Sequence, residues 1–392
     1  MKYSFDVPVD RRGTNSLKWD VAPGELPMWV ADMDLKTAPA IGEAVMRRAE
    51  SGVYGYTVVP DAWYDAIIGW WEKRHAFTIK RDWLCFCTGV VPAISSIVKR
   101  LTNVGDRVLL QTPVYDIFFH SVENAGRVVL ENRLVYDGAQ YHVDFEDLEK
   151  KLAEPLTTMM ILCNPHNPVG KLWTREELAR IGALCRKYGV TVLSDEIHCD
   201  LTDPGVEYVP FASVSDECAD NCVVCVAASK TFNLAGLQSA AVIVPNTFLR
   251  NKVVRGLNSD EVAEPNCFAA EATAAAFTEG GDWLDELRAY LAGNKRLVAE
   301  TVAREIPDVR VVEQHVTYLL WLDCSALTDN AAELADFIRR ESGLYLSSGN
   351  QYRGNGHFFL RMNVACPRAT VEDGLARLCA SVRKYREKKR SK

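Results

Sequence analysis

The sequence predicts an α/β protein with a large domain, whose mostly parallel sheet is flanked by helices, and a smaller α+β domain. In the middle of the chain, short apolar runs alternate with amphipathic helical patterns, which is typical of a parallel sheet covered on both faces. From about Trp283 onward the pattern changes to long helices with a few strands. We therefore expect the large domain over residues 46–280 and the small domain over residues 1–45 and 281–392.

The predicted elements follow one another in a regular order. A helix is expected from Ile41 to Glu50, and an amphipathic helix begins after Pro60. The predicted strands are Leu84–Cys87, Val108–Gln111, Val128–Leu130, Met159–Leu162, Val190–Leu193, Val223–Val226, Val309–Val312, Tyr318–Leu322 and Phe358–Met362. Helical patterns at Pro92–Leu101, Asp116–Ala125 and Arg175–Tyr188 separate strands of the large domain. Because ligands of such sheets lie at the carboxyl ends of the strands, functional residues are expected directly after them.

Composition and charge exclude several classes of protein. The 392 residues are 48% hydrophobic and 25% charged, and the net charge is −7. A negative net charge of this kind predicts no general affinity for nucleic acid. The basic segment 383–390 is therefore interpreted as a solvated helix end. No apolar run reaches the roughly 18 residues of a membrane span, and the amino terminus lacks the apolar core of a signal peptide. The 12 cysteines lie mostly in apolar runs, so buried thiols in a cytoplasmic protein are expected, including Cys222 and Cys225.

The amino-terminal arm is polar and rich in turn residues until Met28–Asp34, which is predicted to be a short apolar strand that closes on two acids. Asp32 and Asp34 are residue types that bind metals. No further carboxylates lie nearby, so roles in a turn or cap are favoured and no metal site is predicted. A glycine-broken aromatic loop then follows at Tyr54-Gly55-Tyr56.

Three segments after predicted strands carry residues suited to chemistry. Gly89-Val90-Val91 joins a strand to a helix start, whose free amides and dipole favour an anion, although a plain tight turn has the same pattern. Asn167 lies in a loop made rigid by two prolines and a glycine, which is either structural or presents a ligand-binding amide. Asp195 ends a buried strand, where a carboxylate is costly unless it faces a cation.

Lys230 follows the apolar run Val223–Ala228 and precedes small residues and a glycine. Burial at a strand end lowers the pKa of a lysine and makes its amine nucleophilic, as Schiff-base chemistry requires. A solvated loop lysine is the alternative interpretation of this segment alone.

The combination of motifs resembles the fold-type I pyridoxal-phosphate (PLP) enzymes of the aminotransferase class I/II superfamily. The resemblance rests on the Asn164–Gly170 loop, on Asp195 in Asp-Glu-Ile-His, on Ser229-Lys230-Thr231-Phe232-Asn233 and on Leu360-Arg361-Met362-Asn363, in that order and approximate spacing. More narrowly, and over essentially its whole length, the chain resembles the cystathionine β-lyase group of C–S lyases, the MalY/PatB type. The narrower match rests on Trp29-Val30-Ala31-Asp32-Met33-Asp34, on Tyr54-Gly55-Tyr56, on Ser229 to Gln238 and on Arg361-Met362-Asn363-Val364-Ala365-Cys366-Pro367.

The resemblance implies pyridoxal 5'-phosphate as the cofactor and assigns residues to its ring. Lys230 would bind the cofactor aldehyde covalently and then remove the substrate Cα proton. Asp195 would pair with the ring nitrogen and keep it protonated, and Asn167 would donate to the ring hydroxyl oxygen. His198 occupies the place near that oxygen where many relatives carry a tyrosine. Tyr115 would stack on the ring and border the substrate. The alternative interpretation of Tyr115 is an ordinary core tyrosine.

The resemblance also implies a phosphate site and a substrate site. The backbone amides of Gly89, Val90 and Val91 and the hydroxyl of Ser229 would hold the phosphate. Tyr56 would reach the phosphate of a neighbouring subunit, so a homodimer with shared active sites is implied. Arg361 would bind the substrate α-carboxylate as a bidentate fork, and Ala31 would contact the substrate.

Departures from the broader superfamily favour the lyase group over aminotransferases. Ala227 stands where many relatives carry a phosphate-binding serine, and Gln238 stands where aminotransferases carry a phosphate-binding arginine. The resemblance therefore implies a C–S β-lyase that cleaves cystathionine or related S-substituted cysteines to a thiol, pyruvate and ammonia. An aminotransferase of the same fold, and a PLP-binding regulatory protein with residual lyase activity, are the alternatives.

Overall fold

The computed structural model describes residues 2–391. Its strands are β1 (Leu26–Pro27), β2 (Leu84–Cys87), β3 (Arg107–Thr112), β4 (Val128–Arg133), β5 (Val135–Tyr136), β6 (Tyr141–His142), β7 (Thr157–Cys163), β8 (Thr191–Asp195), β9 (Cys222–Val226), β10 (Ala240–Ile243), β11 (Arg310–Val311), β12 (Leu319–Asp323), β13 (Leu344–Tyr345), β14 (Ser347–Ser348) and β15 (Phe359–Asn363).

Its α-helices are α1 (Pro39–Glu50), α2 (Asp61–His75), α3 (Val90–Leu101), α4 (Ile117–Glu123), α5 (Phe145–Leu152), α6 (Arg175–Lys187), α7 (Asp216–Asp220), α8 (Ala228–Thr231), α9 (Thr247–Ser259), α10 (Ala269–Glu279), α11 (Gly281–Glu305), α12 (Ala331–Ser342) and α13 (Arg368–Arg390). Within residues 2–391, none of these helices combines the length and the apolar character that a membrane crossing requires.

A seven-stranded sheet in the order β2-β10-β9-β8-β7-β3-β4 forms the centre of the molecule. Neighbouring strands from β9 to β4 run parallel, whereas β10 is antiparallel to both β2 and β9. This confirms the predicted α/β fold with a mostly parallel sheet. The sequence analysis missed β10, although all four of its residues are buried. Its apolar run is short and begins with two alanines, a residue type that is depleted in strands.

Helices cover both faces of the sheet, and its strands β7, β8, β9 and β10 are almost entirely buried. On one face α3 packs against α9 and α4, and on the other α10 packs against α1 and α2. The predicted amphipathic pattern of α2 is confirmed, since Trp63, Ile67, Trp70 and Trp71 are all buried. Cys222 and Cys225 are buried free thiols in β9, as predicted.

A second, four-stranded antiparallel sheet in the order β11-β12-β15-β14 follows in the carboxy-terminal part. Helices α11, α12 and α13 pack around it. The amino-terminal arm joins this part through β1, which pairs in parallel with β13 and aligns Leu26 with Leu344. These contacts agree with an arm that belongs to the small domain, and the boundaries at residues 45 and 280 stay a prediction. The basic segment 383–390 continues α13 to its end, as predicted.

The predicted strand over Met28–Asp34 is wrong, because β1 ends at Pro27 and residues 29–34 form bends without a partner strand. Their backbone groups are bound by side chains instead. For example, the side-chain amide of Asn363 donates to the carbonyl oxygens of Val30 and Asp32. The apolar residues of this segment therefore reflect its partial burial and not sheet pairing.

Candidate active site

A cavity of about 260 Å³ lies where the carboxyl ends of β2, β7 and β8 meet the starts of α3 and α8. Ten of the predicted site residues line it together: Ala31, Gly89, Val90, Val91, Tyr115, Asn167, Asp195, His198, Ser229 and Lys230. Residues separated by up to about two hundred positions thus share one wall. The expectation that strand ends carry the site is met at this edge of the sheet.

The start of α3 forms one side of this cavity. Val90 is its first helical residue, and Gly89 precedes it with an extended φ of 170° while its carbonyl oxygen accepts from the amide of Ala93 at 3.1 Å. The first-turn amides of a helix have no partner within the helix, and the dipole makes this end electropositive. The side of the cavity at Gly89, Val90 and Val91 is therefore electropositive and suited to an anion.

Asp195 ends β8 and is buried. One of its carboxylate oxygens accepts from the amide of Ile197 at 3.1 Å. Burial raises the pKa of Asp195 to about 7, and the neighbouring Glu196 adds to this, while Lys230 and the amide of Ile197 oppose it. A cation placed beside this carboxyl group in the cavity would stabilise its charged form.

Lys230 lies in the single turn of α8, which follows the fully buried strand β9. Its ammonium donates to the carbonyl oxygen of Ala31 at 2.7 Å. Burial lowers the pKa of Lys230 to about 8 and Arg361 lowers it further, whereas the carboxylates of Asp32 and Asp195 raise it. A larger share of the amine is therefore neutral near neutral pH than for an ordinary lysine, as a nucleophile or base requires.

Arg361 projects from the middle of β15 and is buried. Its Nη1 donates to the side-chain oxygen of Asn167 at 3.1 Å, and its Nη2 donates to the carbonyl oxygen of Trp29 at 2.9 Å. Its Nε is buried and has no hydrogen-bond partner among the described residues. Its guanidinium lies 5.0 Å from the ring centre of Tyr352. No carboxylate pairs with Arg361 within residues 2–391, so the site supplies a buried cation that is suited to an anionic ligand.

Three further side chains complete the wall. The backbone amide of Tyr115 donates to the carbonyl oxygen of Asn167 at 3.1 Å, which anchors Tyr115 to the rigid loop. Burial raises the pKa of the Tyr115 phenol well above the usual range. His198 is buried, its pKa is lowered by burial to about 3, and its Nδ1 has no hydrogen-bond partner among the described residues. Ser229 directly precedes Lys230. A neutral imidazole with an unpaired nitrogen suits a polar ligand atom.

Asp32 and Asp34 are turn residues held by cations, as the sequence analysis favoured. The guanidinium of Arg11 lies 2.7 Å from Asp32 and 2.8 Å from Asp34, and the buried ammonium of Lys18 lies 2.7 Å from Asp34. The indole nitrogen of Trp19 also donates to Asp34. With these donors in place, the carboxylates serve to anchor the amino-terminal arm.

The sequence analysis missed one cluster of metal-ligand residue types outside the cavity. His75, Cys199 and Asp200 bring their side-chain atoms within 4.8 Å of one another. Asp200 accepts hydrogen bonds from Trp70, Thr231 and the ring of His75. Its carboxylate is therefore already satisfied, and the cluster ties α2 to α8.

Two predicted site residues are not among those that line the cavity. Arg361 contacts the lining residue Asn167, whereas Tyr56 lies away from the cavity. The side chain of Tyr56 is fully exposed in the loop between α1 and α2. Seven lining residues were not predicted as site residues, namely Thr88, Pro92, Cys163, Ile197, Ala235, Gln238 and Ser239. Thr88 follows β2 and could have been found from the strand-end rule, whereas nothing in the local sequence marks Ser239.

Comparisons with known proteins agree with this geometry. The family model "Aminotransferase class I and II" matches residues 30–378. Cystathionine beta-lyase PatB of Bacillus subtilis is 43% identical over 97% of this chain and all of the relative, and protein MalY of Escherichia coli is 33% identical over 98% of this chain and all of the relative. The crystal structure of cystalysin from Treponema denticola, which contains a pyridoxal 5'-phosphate cofactor, superposes with a TM-score of 0.95 at 30% identity and covers 98% of this chain and all of that one.

Proposed function

The chain belongs to the aminotransferase class I and II family, and from this premise we propose that it is a pyridoxal-phosphate-dependent C–S β-lyase. The observation that carries the proposal is that Lys230, Asp195 and Asn167 line one cavity and that Arg361 is hydrogen-bonded to Asn167, in a chain that aligns end to end with a cystathionine β-lyase. The substrates that we infer are cystathionine and related S-substituted cysteines. The products are a thiol, pyruvate and ammonia.

The residues of the cavity fit pyridoxal 5'-phosphate. Lys230 offers an amine that burial keeps partly neutral, as attachment to an aldehyde requires. Asp195 offers a buried carboxylate for a protonated ring nitrogen, and the unpaired Nδ1 of His198 offers a partner for a polar ring substituent. The amides at the start of α3 suit the phosphate. Asn167, whose oxygen is taken by Arg361, has its amide nitrogen free to donate to a ring oxygen.

When bound, the cofactor supplies an electron sink that makes the Cα proton of the attached amino acid acidic. Lys230 removes that proton, because its lowered pKa makes the neutral amine available near neutral pH. Arg361 holds the α-carboxylate, which fixes the amino acid so that Cα faces Lys230. The bond between Cβ and sulfur then breaks and the sulfur leaves as the thiol. Addition of water to the remaining three-carbon unit yields pyruvate and ammonia.

An aminotransferase of the same fold is the second candidate, because the family model includes that activity. The place eight residues after the lysine, where aminotransferases carry an arginine, holds Gln238 here, with a positive φ of 54°. An aminotransferase for dicarboxylic substrates also needs a second cation for the distal carboxylate. The sequence offers no arginine for that role at a matching position, which favours the lyase.

We also propose a homodimer with shared active sites. The loop between α1 and α2 exposes four large side chains, Val53, Tyr54, Tyr56 and Val58. An exposed apolar loop of this kind is typical of an interaction surface. A second copy of the chain would cover it and bring Tyr56 to the phosphate side of the partner's cavity. We further propose a cytoplasmic location, whose reducing conditions suit twelve free cysteines.

A direct assay tests the proposed activity. Purified protein with pyridoxal phosphate is incubated with cystathionine, and in parallel with an amino acid and 2-oxoglutarate. Pyruvate, free thiol and glutamate are measured in both reactions. The expected result is pyruvate and thiol in equal amounts from cystathionine, at a rate far above glutamate formation. Amino-group exchange without thiol release would establish the aminotransferase instead.

A further inference from the structure

Residues 29–35, which we call the bridging segment, connect the two groups on which the proposed reaction depends. The segment has neither helix nor strand. The carbonyl oxygen of Trp29 accepts from Arg361, and the carbonyl oxygen of Ala31 accepts from Lys230 at 2.7 Å and from the hydroxyl of Tyr318 at 3.1 Å. The proposed base and the proposed carboxylate-binding group thus hold the same short stretch of backbone, two residues apart.

Two asparagines fix the bridging segment from opposite sides. The side-chain amide of Asn363 donates to the carbonyl oxygens of Val30 at 2.5 Å and Asp32 at 2.6 Å, which flank Ala31. Asn233 accepts from the amide of Met33 at 3.0 Å and donates to the carbonyl oxygens of Met33 and Leu35. These bonds replace the ladder that a strand would have provided.

The chain places each asparagine beside one of the two functional groups. Asn363 follows Arg361 by two residues and ends β15. Asn233 follows Lys230 by three residues and adopts a left-handed φ of 59°, which asparagine tolerates better than most side chains. A shift of either asparagine relative to the bridging segment would therefore change the separation between Lys230 and Arg361.

We propose that Asn363 and Asn233 are positioning residues, which hold the bridging segment so that the carbonyl oxygen of Ala31 receives the amine of Lys230 whenever that amine is free. This inference rests on the proposed function, because the amine must be free for it to act as a base. A carbonyl that accepts one N–H fixes the direction of the amine and leaves its lone pair available for the Cα proton. Burial lowers the pKa of Lys230 to about 8, so a larger share of this amine is neutral near neutral pH than for an ordinary lysine.

Replacement of each asparagine tests the proposal. Asn363→Ala removes the donor to Val30 and Asp32. Asn233→Gly removes the hydrogen bonds to Met33 and Leu35 and leaves the left-handed backbone unstrained. Asn294→Ala is the matched control. Asn294 is also buried and donates its side-chain amide to two carbonyl oxygens, those of Val364 and Cys366, both at 3.0 Å, but it contacts neither the bridging segment nor the cavity.

The main readout is the exchange of the Cα proton of L-alanine with deuterium in heavy water, measured by proton NMR on cofactor-loaded protein. L-alanine has no leaving group on Cβ, so the exchange reports proton transfer even if C–S cleavage is absent. A second readout is the rate at which the protein without cofactor attaches pyridoxal phosphate covalently, followed by absorbance. Thermal unfolding of each variant shows how much of the chain is folded.

We expect Asn363→Ala and Asn233→Gly to slow both exchange and attachment by about tenfold or more, with the half-saturating alanine concentration within about threefold of the wild type. Asn294→Ala is expected to keep both rates within about threefold while losing comparable thermal stability. Wild-type rates in the two test variants, or an equal loss in Asn294→Ala, would overturn the proposal. Wild-type exchange without release of thiol from cystathionine would contradict the lyase activity and leave this inference standing.

Discussion

Arg361 donates to the side-chain oxygen of Asn167 at 3.1 Å, so the proposed carboxylate-binding group and a proposed cofactor-binding group are in contact. The contact orients the amide of Asn167, with its oxygen toward the arginine and its nitrogen free. It also means that a substrate carboxylate must share the guanidinium with Asn167. The two residues come from the loop after β7 and from β15, so the contact joins the large sheet to the small one.

The first prediction uses this contact. Asn167→Asp places a carboxylate against Arg361, where it competes with the substrate carboxylate and no longer donates to the ring oxygen. We expect the KM for cystathionine to rise by about tenfold or more, because charge-assisted pairs are stronger than neutral ones. Steady-state kinetics measure the change. An unchanged KM would show that the substrate carboxylate does not bind Arg361.

The second prediction concerns Arg361 itself. Arg361→Ala should lower kcat/KM by roughly a hundredfold, since a bidentate charged contact in a dry site is worth a few kcal/mol. Arg186→Ala is a suitable control, because Arg186 is exposed on α6 and pairs with the exposed Asp220. A loss in the control as large as that in Arg361→Ala would refute the assigned role.

A third prediction follows from the pKa of Lys230. Burial lowers this pKa to about 8, so the neutral amine becomes available as the pH rises through that value. The rate at which the protein without cofactor attaches pyridoxal phosphate should therefore increase between pH 7 and 9, with a midpoint near about 8. Borohydride reduction and peptide mass spectrometry should then locate the cofactor on Lys230. A reducible link that persists in Lys230→Ala would place it on another residue.

A fourth prediction separates stability from activity at Asp195. Its folded pKa of about 7 lies above the ordinary value, so the folded protein without cofactor binds more protons than the unfolded chain between about pH 4 and 7. The free energy of unfolding therefore falls as the pH rises through this window. Asp195→Asn removes the free-energy cost of ionising this buried carboxyl group. At pH 8 we expect the variant without cofactor to be more stable than the wild type, by up to the order of 2–4 kcal/mol.

The same variant should lose most of its lyase activity, because the ring nitrogen is left without its anionic partner. Denaturant unfolding at pH 5 and at pH 8 measures the free energy of unfolding. The difference in this free energy between variant and wild type should be smaller at pH 5. A variant that is less stable than the wild type at pH 8 would contradict the assignment of Asp195 as an unpaired buried carboxyl.

The fifth prediction tests the shared sites. If Tyr56 serves the partner's cavity, a mixed dimer of Lys230→Ala and Tyr56→Phe chains contains one site with both changes and one intact site. Co-expression of the two variants should therefore restore about one quarter of wild-type activity with random pairing, while each variant alone stays low. Activity that merely averages the two separate variants, or a fully active monomer by sedimentation, would rule out sharing.

The sequence determined the fold class and most of the cavity, because both depend on local patterns. Alternation of apolar runs and helices predicted the mostly parallel sheet, and the strand-end rule together with the family motifs placed Lys230, Asp195, Asn167 and Gly89–Val91 at one edge. The residues of these motifs lie where strands end, and that position can be read from the chain alone.

Only the tertiary structure decided how these residues contact one another. The amine of Lys230 meets a carbonyl oxygen at Ala31, 199 residues away, and the two asparagines clamp a segment that the sequence pattern indicated to be a strand. Residues 28–31 form an apolar run like that of a strand, but the side-chain amides of Asn363 and Asn233 bind the backbone of residues 30–33. Hydrogen bonds between a side chain and backbone that is distant in sequence leave no periodic pattern in the sequence. Packing alone therefore determines them.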